Sequence, residues 1–259
     1  MDQLIAKGME LINDAQKILV FSGAGLSTES GIPDFRSPGG IWEKYDPADF
    51  EFQKLMSDER AREKYWKMSV EYYGTMKAAL PNRAHLALKE LEDLGKLLVI
   101  VTQNIDNLQH KAGNSREKII EIHGTAFAVA CLKCGKQYDR EEIERRIRSG
   151  IKVPYCDDCK GFLKPATISF GQAMPQDKMA AAFKYGAQCD LCLVLGSSLV
   201  VYPAASVPEQ AVEQGAKLLI INRDETHLDR RADLVIHDSV AKVLGEIMEG
   251  LKGEKKSQD

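Results

Sequence analysis

No stretch of this 259-residue chain stays apolar long enough to cross a bilayer. Runs such as Leu97-Leu98-Val99-Ile100-Val101 stop far short of the ~20 apolar residues that a spanning helix needs. The opening segment, MDQLIAKGMELINDAQ, has no apolar h-region, so no secretory signal is expected. Excess charge of one sign is missing too. Thirty-five Lys and Arg face 38 Asp and Glu, a net charge of −3, so no strong field draws nucleic acid. Aromatics make up only 7%, and no basic patch accompanies Trp42, Trp66 or the tyrosines of 65–73. Those rings therefore read as core or pocket wall rather than a stacking platform for bases. No internal repeat is evident.

What remains is an ordinary soluble composition, 44% hydrophobic and 28% charged, with length enough for a large domain plus a smaller module. Short apolar runs alternate with helical periodicity. Strands are expected at 17–21, 97–101, 119–122, 189–195, 217–221 and 234–237. Helices are expected at 3–16, 54–79, 82–94, 207–215 and 239–251, with 29–52 as loop. This alternation predicts an α/β fold: a parallel sheet with helices on both faces. Ligands of such sheets sit at the carboxyl ends of the strands. Five of those ends are polar or glycine-rich, at Ser22–Gly25, Thr102–Asp106, His123-Gly124, Gly196–Ser198 and Asn222. They should converge on one crevice.

Six cysteines fall in three Cys-x-x-Cys pairs that are not equivalent. Cys131/Cys134 and Cys156/Cys159 are 21 residues apart, and each pair can form a tight turn offering two thiolates. Two such turns predict a tetrahedral Zn2+ site, against the alternatives of two disulfides or four unrelated thiols. Four thiolates leave no open position, so the metal is expected to be structural, stapling a segment too small to hold itself. Cys189 and Cys192 lie in a strand entering the core, where cysteine acts as a small hydrophobe. Metal-type cysteines without a signal point to a cytoplasmic location.

Gly23-Ala24-Gly25 follows a strand, the setting in which backbone amides can approach a pyrophosphate. Alone it is a weak signal, and a tight turn without ligand is the alternative. The sixth position of the usual dinucleotide pattern is Thr28 rather than Gly, and no acid ends a second strand about 20 residues on. An ordinary dehydrogenase is therefore disfavoured.

Taken together, several segments resemble the sirtuin family. They are Gly23-Ala24-Gly25-Leu26-Ser27, Gly31-Ile32-Pro33-Asp34-Phe35-Arg36, Thr102-Gln103-Asn104-Ile105-Asp106, His123-Gly124, the four cysteines, Phe170-Gly171, Gly196-Ser197-Ser198-Leu199 and Asn222. They occur in the family's order across residues 18–240. The resemblance implies a Rossmann-like NAD-binding domain from 1–37, 80–125 and 166–250. It implies two inserts, a cofactor loop with a small helical module at 38–79 and a zinc module at 126–165, with a frayed tail at 251–259. It also implies a transferase-type reaction: NAD-dependent lysine deacetylation that releases nicotinamide and an O-acyl-ADP-ribose.

Carried over residue by residue, Gly23, Ala24, Gly25 and Ser27 would hold the pyrophosphate. Phe35, Arg36 and Gln103 would sit at the nicotinamide ribose. Asn104, Ile105 and Asp106 would line the nicotinamide pocket, and Gly196, Ser197, Ser198 and Asn222 would hold the adenosine half. Asn104 and Asp106 would hold the nicotinamide carboxamide during bond cleavage. His123 would serve as the base that takes a proton from a ribose hydroxyl, a task suited to a group titrating near neutrality. His85 reads as orienting a helix start; His110, His227 and His237 read as surface or satisfied polar residues. The acylated peptide, the expected partner, would add as a strand beside Phe170-Gly171 and Val200-Val201-Tyr202. Gln172 stands where the family often has Glu. Family members that remove succinyl groups carry Tyr-x-x-Arg; the matching stretch here is Tyr65-Trp66-Lys67-Met68, so neutral acyl groups are expected. A monomer is expected, since no long unmatched apolar helix face stands out. An ADP-ribosyltransferase using the same NAD site is the nearest rival, and a non-enzymatic zinc-ribbon module a more distant one.

Overall fold

The computed structural model describes residues 1–256. Its main layer is a six-stranded sheet built from β1 (Ile18–Ser22), β2 (Leu97–Thr102), β3 (Ile119–Glu121), β7 (Leu191–Leu195), β8 (Lys217–Ile221) and β9 (Leu234–Ile236). The order across it is β3-β2-β1-β7-β8-β9, and every pairing is parallel. β1 and β7 are buried along their whole length, as a sheet covered on both faces requires. The period-two alternation sorts each strand between two cores. Ile18, Val20, Leu193, Leu219 and Ile221 face one layer, while Leu19, Phe21, Cys192, Val194 and Ile220 face the other. The first layer is α1 (Asp2–Asp14), α5 (Arg83–Asp93) and α10 (Val240–Lys256); the second is α8 (Gln176–Gly186) and α9 (Ser206–Glu213).

The chain leaves β1 toward one edge and returns through β7 toward the other. Strand order therefore reverses between β1 and β7, which opens the crevice where such folds bind ligands.

A second sheet, β5 (Gln137–Asp139), β4 (Gly124–Cys131) and β6 (Leu163–Thr167), is antiparallel. With α7 (Arg140–Arg148) it encloses its own small core of Val129, Tyr138, Ile143, Val153, Phe162 and Leu163. Trp66, from the other insert, is fully buried in that core, and its indole N–H donates to the Leu163 carbonyl at 3.1 Å. The two inserts thus share one core.

Three of the expected segments take another form, and α7, α8 and the strands of the small sheet were not expected. The helix expected at 54–79 is two, α3 (Phe52–Ser57) and α4 (Glu59–Ala78). Asp58 between them is extended, and its carboxylate accepts from the Arg60 amide. An N-cap bond of this kind overrides helical periodicity that runs on across it. The expected loop at 29–52 contains the short helix α2 (Ile41–Lys44) and turns of 3-10 helix. α10 runs through Lys256 with Leu251 buried, so the helix takes in the first part of the expected tail; residues 257–259 lie outside the described residues. The remaining short helix, α6 (Leu108–Lys111), follows β2.

Candidate active site and metal centre

Two glycine turns meet at the switch point. A side-chain carbon on Gly23 would lie 2.7 Å from the Gly196 carbonyl, and one on Gly25 would lie 2.9 Å from the Gly196 Cα. Gly196 itself has φ +61° and would drive a side chain into the Gly25-Leu26 backbone. These glycines thus let the turns after β1 and β7 pack backbone to backbone, with the Gly25 amide donating to the Gly196 carbonyl at 2.9 Å. The sequence pattern identified the residues; the close approach of the two turns is visible only in three dimensions.

Among the described residues, the main-chain N–H groups of Ala24, Ser197 and Ser198 find no acceptor. Unpaired amides gathered at a switch point are the donor set that a pyrophosphate or ribose needs, so the residues present fit a dinucleotide. From β2, the Gln103 side chain donates to Ser197 Oγ at 2.9 Å, and Asn104 Nδ2 donates to the Gly23 carbonyl at 3.1 Å and to Ser27 Oγ at 3.2 Å. Asp106, 3% exposed, accepts from Ser27 Oγ at 2.7 Å and from the Leu108 amide at 2.9 Å. Burial pushes its carboxyl above the usual range, opposed by the Ser27 hydrogen bond. His85 extends this network: it closes a capping box with Asn82 at the start of α5, and Nε2 lies 3.5 Å from Ser27 Oγ. Burial lowers its pKa to about 4, so it is neutral at pH 7. Sequence reading found the capping role of His85 but not its place behind Ser27 and Asp106; only the tertiary fold joins residues so far apart in sequence.

His123 follows β3 at the same end of the sheet. Its ring Nδ1 lies 3.1 Å from the Gln103 carbonyl. A carbonyl can only accept, so Nδ1 carries the proton and Nε2 is left as a bare acceptor. Desolvation lowers its pKa, only partly offset by the Gln103 bond. The arrangement can accept a proton at neutral pH. Asn222, after β8, donates through its side chain to the Asp224 carbonyl, and His237 Nδ1–H donates to the Asn222 carbonyl. The five strand ends therefore lie side by side along one edge of the sheet.

Phe35 and Arg36 lie in the loop before α2, which Asp34 shapes by accepting from the Arg36 and Ser37 amides. Phe35 packs on Trp42, and Trp42 in turn meets Phe170. Phe170, Val200 and Tyr202 all expose apolar or aromatic surface. Gln172 accepts from the Ser169 amide at 3.1 Å and closes the 169–172 turn.

Cys131, Cys134, Cys156 and Cys159 bring their four sulfurs within 4.8 Å of one another. Cys131–Cys159 and Cys134–Cys156 stand at 3.5 and 3.7 Å, near the roughly 3.8 Å edge of a tetrahedral zinc–thiolate site. These are non-bonded distances, and all six cysteines are free, so the disulfide alternative fails. The Tyr138 hydroxyl and the Gly161 amide both donate to these sulfurs, as a thiolate set requires. The residues fit zinc. Cys189 and Cys192 take no part; Cys192 is fully buried in the sheet.

Comparison with known proteins agrees with this geometry. A family model described as the Sir2 family matches residues 23–203. An NAD-dependent protein deacetylase of Thermodesulfovibrio yellowstonii is 41% identical over 251 residues, covering 97% of this chain and 96% of the relative. An NAD-dependent protein deacylase 2 of Archaeoglobus fulgidus is 38% identical over 253 residues, covering 97% and 98%. Among solved structures, a Sir2–p53 peptide–NAD+ complex superposes with a TM-score of 0.87 at 36% identity, covering 97% of this chain and 99% of that one. Matched by the family model and aligned with relatives along nearly its whole length, the chain belongs to the Sir2, or sirtuin, family.

Proposed function

We propose that this protein is an NAD-dependent protein lysine deacetylase. The observation that carries the reading is His123: a half-buried, neutral imidazole whose Nδ1 is committed to a carbonyl, leaving Nε2 as the acceptor at the crevice. Bound NAD would supply an activated ribose carbon that takes the acetyl oxygen of the substrate as nicotinamide leaves; one water is consumed as the acetyl C–N bond breaks, giving the free lysine amine and O-acetyl-ADP-ribose. Relatives named as deacetylases, and Sir2 structures holding NAD+, an acetylated peptide, or deacetylated peptide with 3′-O-acetyl-ADP-ribose, support it.

The protein's own residues would act as follows. Amides of Ala24, Ser197 and Ser198 bind the phosphate and ribose oxygens, with Gly23, Gly25 and Gly196 keeping side chains out of their way. Asn104 and Asp106 exchange part of their bonding within the Ser27 network for the carboxamide, with Ile105 beside it. Gln103 and Arg36 reach the nicotinamide ribose, Phe35 covers it against water, and Asn222 meets the adenosine half. His123 Nε2 takes a proton from a ribose hydroxyl. The acetyl-lysine segment adds as a strand between Phe170-Gly171 and Val200-Val201-Tyr202, held by backbone bonds that impose little sequence demand. Zn2+ on the four cysteines staples the small sheet and stays out of the chemistry. We place the protein in the cytoplasm as a monomer, a setting in which its thiols stay reduced.

Met68 packs into the cluster of Phe50, Leu55, Ala61 and Tyr65, and the Tyr65 hydroxyl is engaged with Thr167 at 3.1 Å. Met68 supplies no guanidinium to pair with an acyl carboxylate at that position, so acetyl-peptide is expected to turn over faster than succinyl-peptide. A faster succinyl rate would refute the assignment.

The deciding experiment is mass spectrometry of an acetyl-lysine peptide incubated with zinc-loaded protein, with and without NAD. Acetyl loss only with NAD, matched by nicotinamide release, is the expected result. NAD cleavage with the peptide still acetylated would favour the transferase instead.

A further inference from the structure

Lys164 is a fully buried amine outside the proposed chemistry, and burial lowers its pKa to about 7. It lies on β6, opposite Ala130 of β4, with its amine nitrogen 5.4 Å from the centre of the Tyr65 ring. Among the described residues no carboxylate partners it. It donates to the Thr167 carbonyl at 2.6 Å, to Thr167 Oγ1 at 3.1 Å and to the Pro165 carbonyl at 3.4 Å. Burying an amine is unfavourable in either protonation state unless it is hydrogen-bonded, and an apolar side chain of similar length would fill the same space. Its two shorter bonds go to one place, Thr167, the residue where β6 ends.

That place has a second partner. The Thr167 carbonyl and the Ile168 amide belong to one planar peptide group. Lys164 holds its oxygen, and its N–H donates to the carbonyl of His123 at 2.9 Å. Beyond Ile168 the chain forms the 169–172 turn. There the Phe170 carbonyl accepts from the Phe52 amide at 2.8 Å, and Gly171 takes φ +77°. One peptide plane therefore connects the main chain of His123 to the segment proposed to flank the substrate strand, and Lys164 sets the orientation of that plane.

We propose that Lys164 is a positioning residue: by holding the Thr167–Ile168 peptide group it sets the 168–171 segment for the acetylated peptide and ties that segment to His123. The proposal rests on the deacetylase reading for its substrate, but not for its geometry. Lys164→Met keeps the length and removes the donor; Lys164→Gln keeps a neutral donor.

The test combines three readouts on zinc-loaded protein: amide hydrogen exchange, binding of a fluorescent acetyl-lysine peptide, and NAD affinity. In Lys164→Met, exchange should speed up in 165–172 while β1 and β2 stay protected. Peptide affinity should fall about tenfold, the scale of one buried hydrogen bond, with NAD affinity and zinc content unchanged and Lys164→Gln intermediate. Should Lys164→Met fail to fold, Lys164→Gln against the parent decides by the same readouts. Unchanged exchange in 165–172, or unchanged peptide affinity, overturns the proposal. So does a parallel loss of peptide, NAD and zinc binding, which would mark a purely structural lysine. If the parent neither deacetylates nor binds the peptide, the deacetylase reading fails; the exchange readout still judges the tether.

Discussion

At the scale of the residue, the decisive feature is how desolvation sets the state of each polar group. His123 and His85 are both held below the usual histidine value of 6.5, chiefly by burial. Below pH 6.5 the unfolded chain therefore binds more protons than the folded one. Stability present at neutral pH is lost as pH falls through 6.5, levelling off once the folded groups protonate. For His85, with a folded value of about 4, the full loss is about 3 kcal/mol. Urea unfolding should show a midpoint that drops between pH 6.5 and 4; a flat midpoint over that range would contradict it. Activity should follow the same sign, with an acid limb below 6.5 and a plateau above. His123→Ala should lower deacetylation at least about 100-fold, with NAD affinity retained in a calorimetric titration. Survival of most of the activity would assign the base elsewhere. His123 was legible because it stands at a strand end beside Gly124; the Ser27–Asp106–His85 network was not, because no local pattern links those three positions.

At the scale of the element, caps and turns decide where periodicity alone misleads. Asp58 splits one apparent helix by satisfying the Arg60 amide. α8 escaped notice because its alanine-rich stretch carries little contrast between faces. The strands of the small sheet have few apolar runs, since that sheet encloses a core too small to mark them. The cysteine spacing marked the site without revealing the sheet around it. Cys156→Ser should reduce bound zinc, measured by atomic absorption, and open 124–167 to limited proteolysis while the six-stranded sheet stays protected. Chelation should do the same in the parent. Full zinc content with no new cleavage would show that the staple is dispensable.

At the scale of the whole molecule, the two inserts behave as one body because Trp66 crosses between them. It is buried in the zinc-module core, edge-on to Tyr65, with the Arg140 guanidinium 5.2 Å from its ring. Trp66→Ala should cost about 3–5 kcal/mol in denaturant unfolding, with zinc retention weakened as well. A loss under 1 kcal/mol would mean the inserts are independent. The sequence alone determined the parallel sheet, the zinc ligands and the set of strand-end residues, because each is written in local period or spacing. Only the tertiary structure decided how these parts meet: that Gly23 and Gly25 press on Gly196, that Trp66 closes the neighbouring insert, and that Lys164 and His123 hold opposite sides of one peptide group. Such contacts depend on chain reversals between distant segments, and no window along the sequence contains both partners.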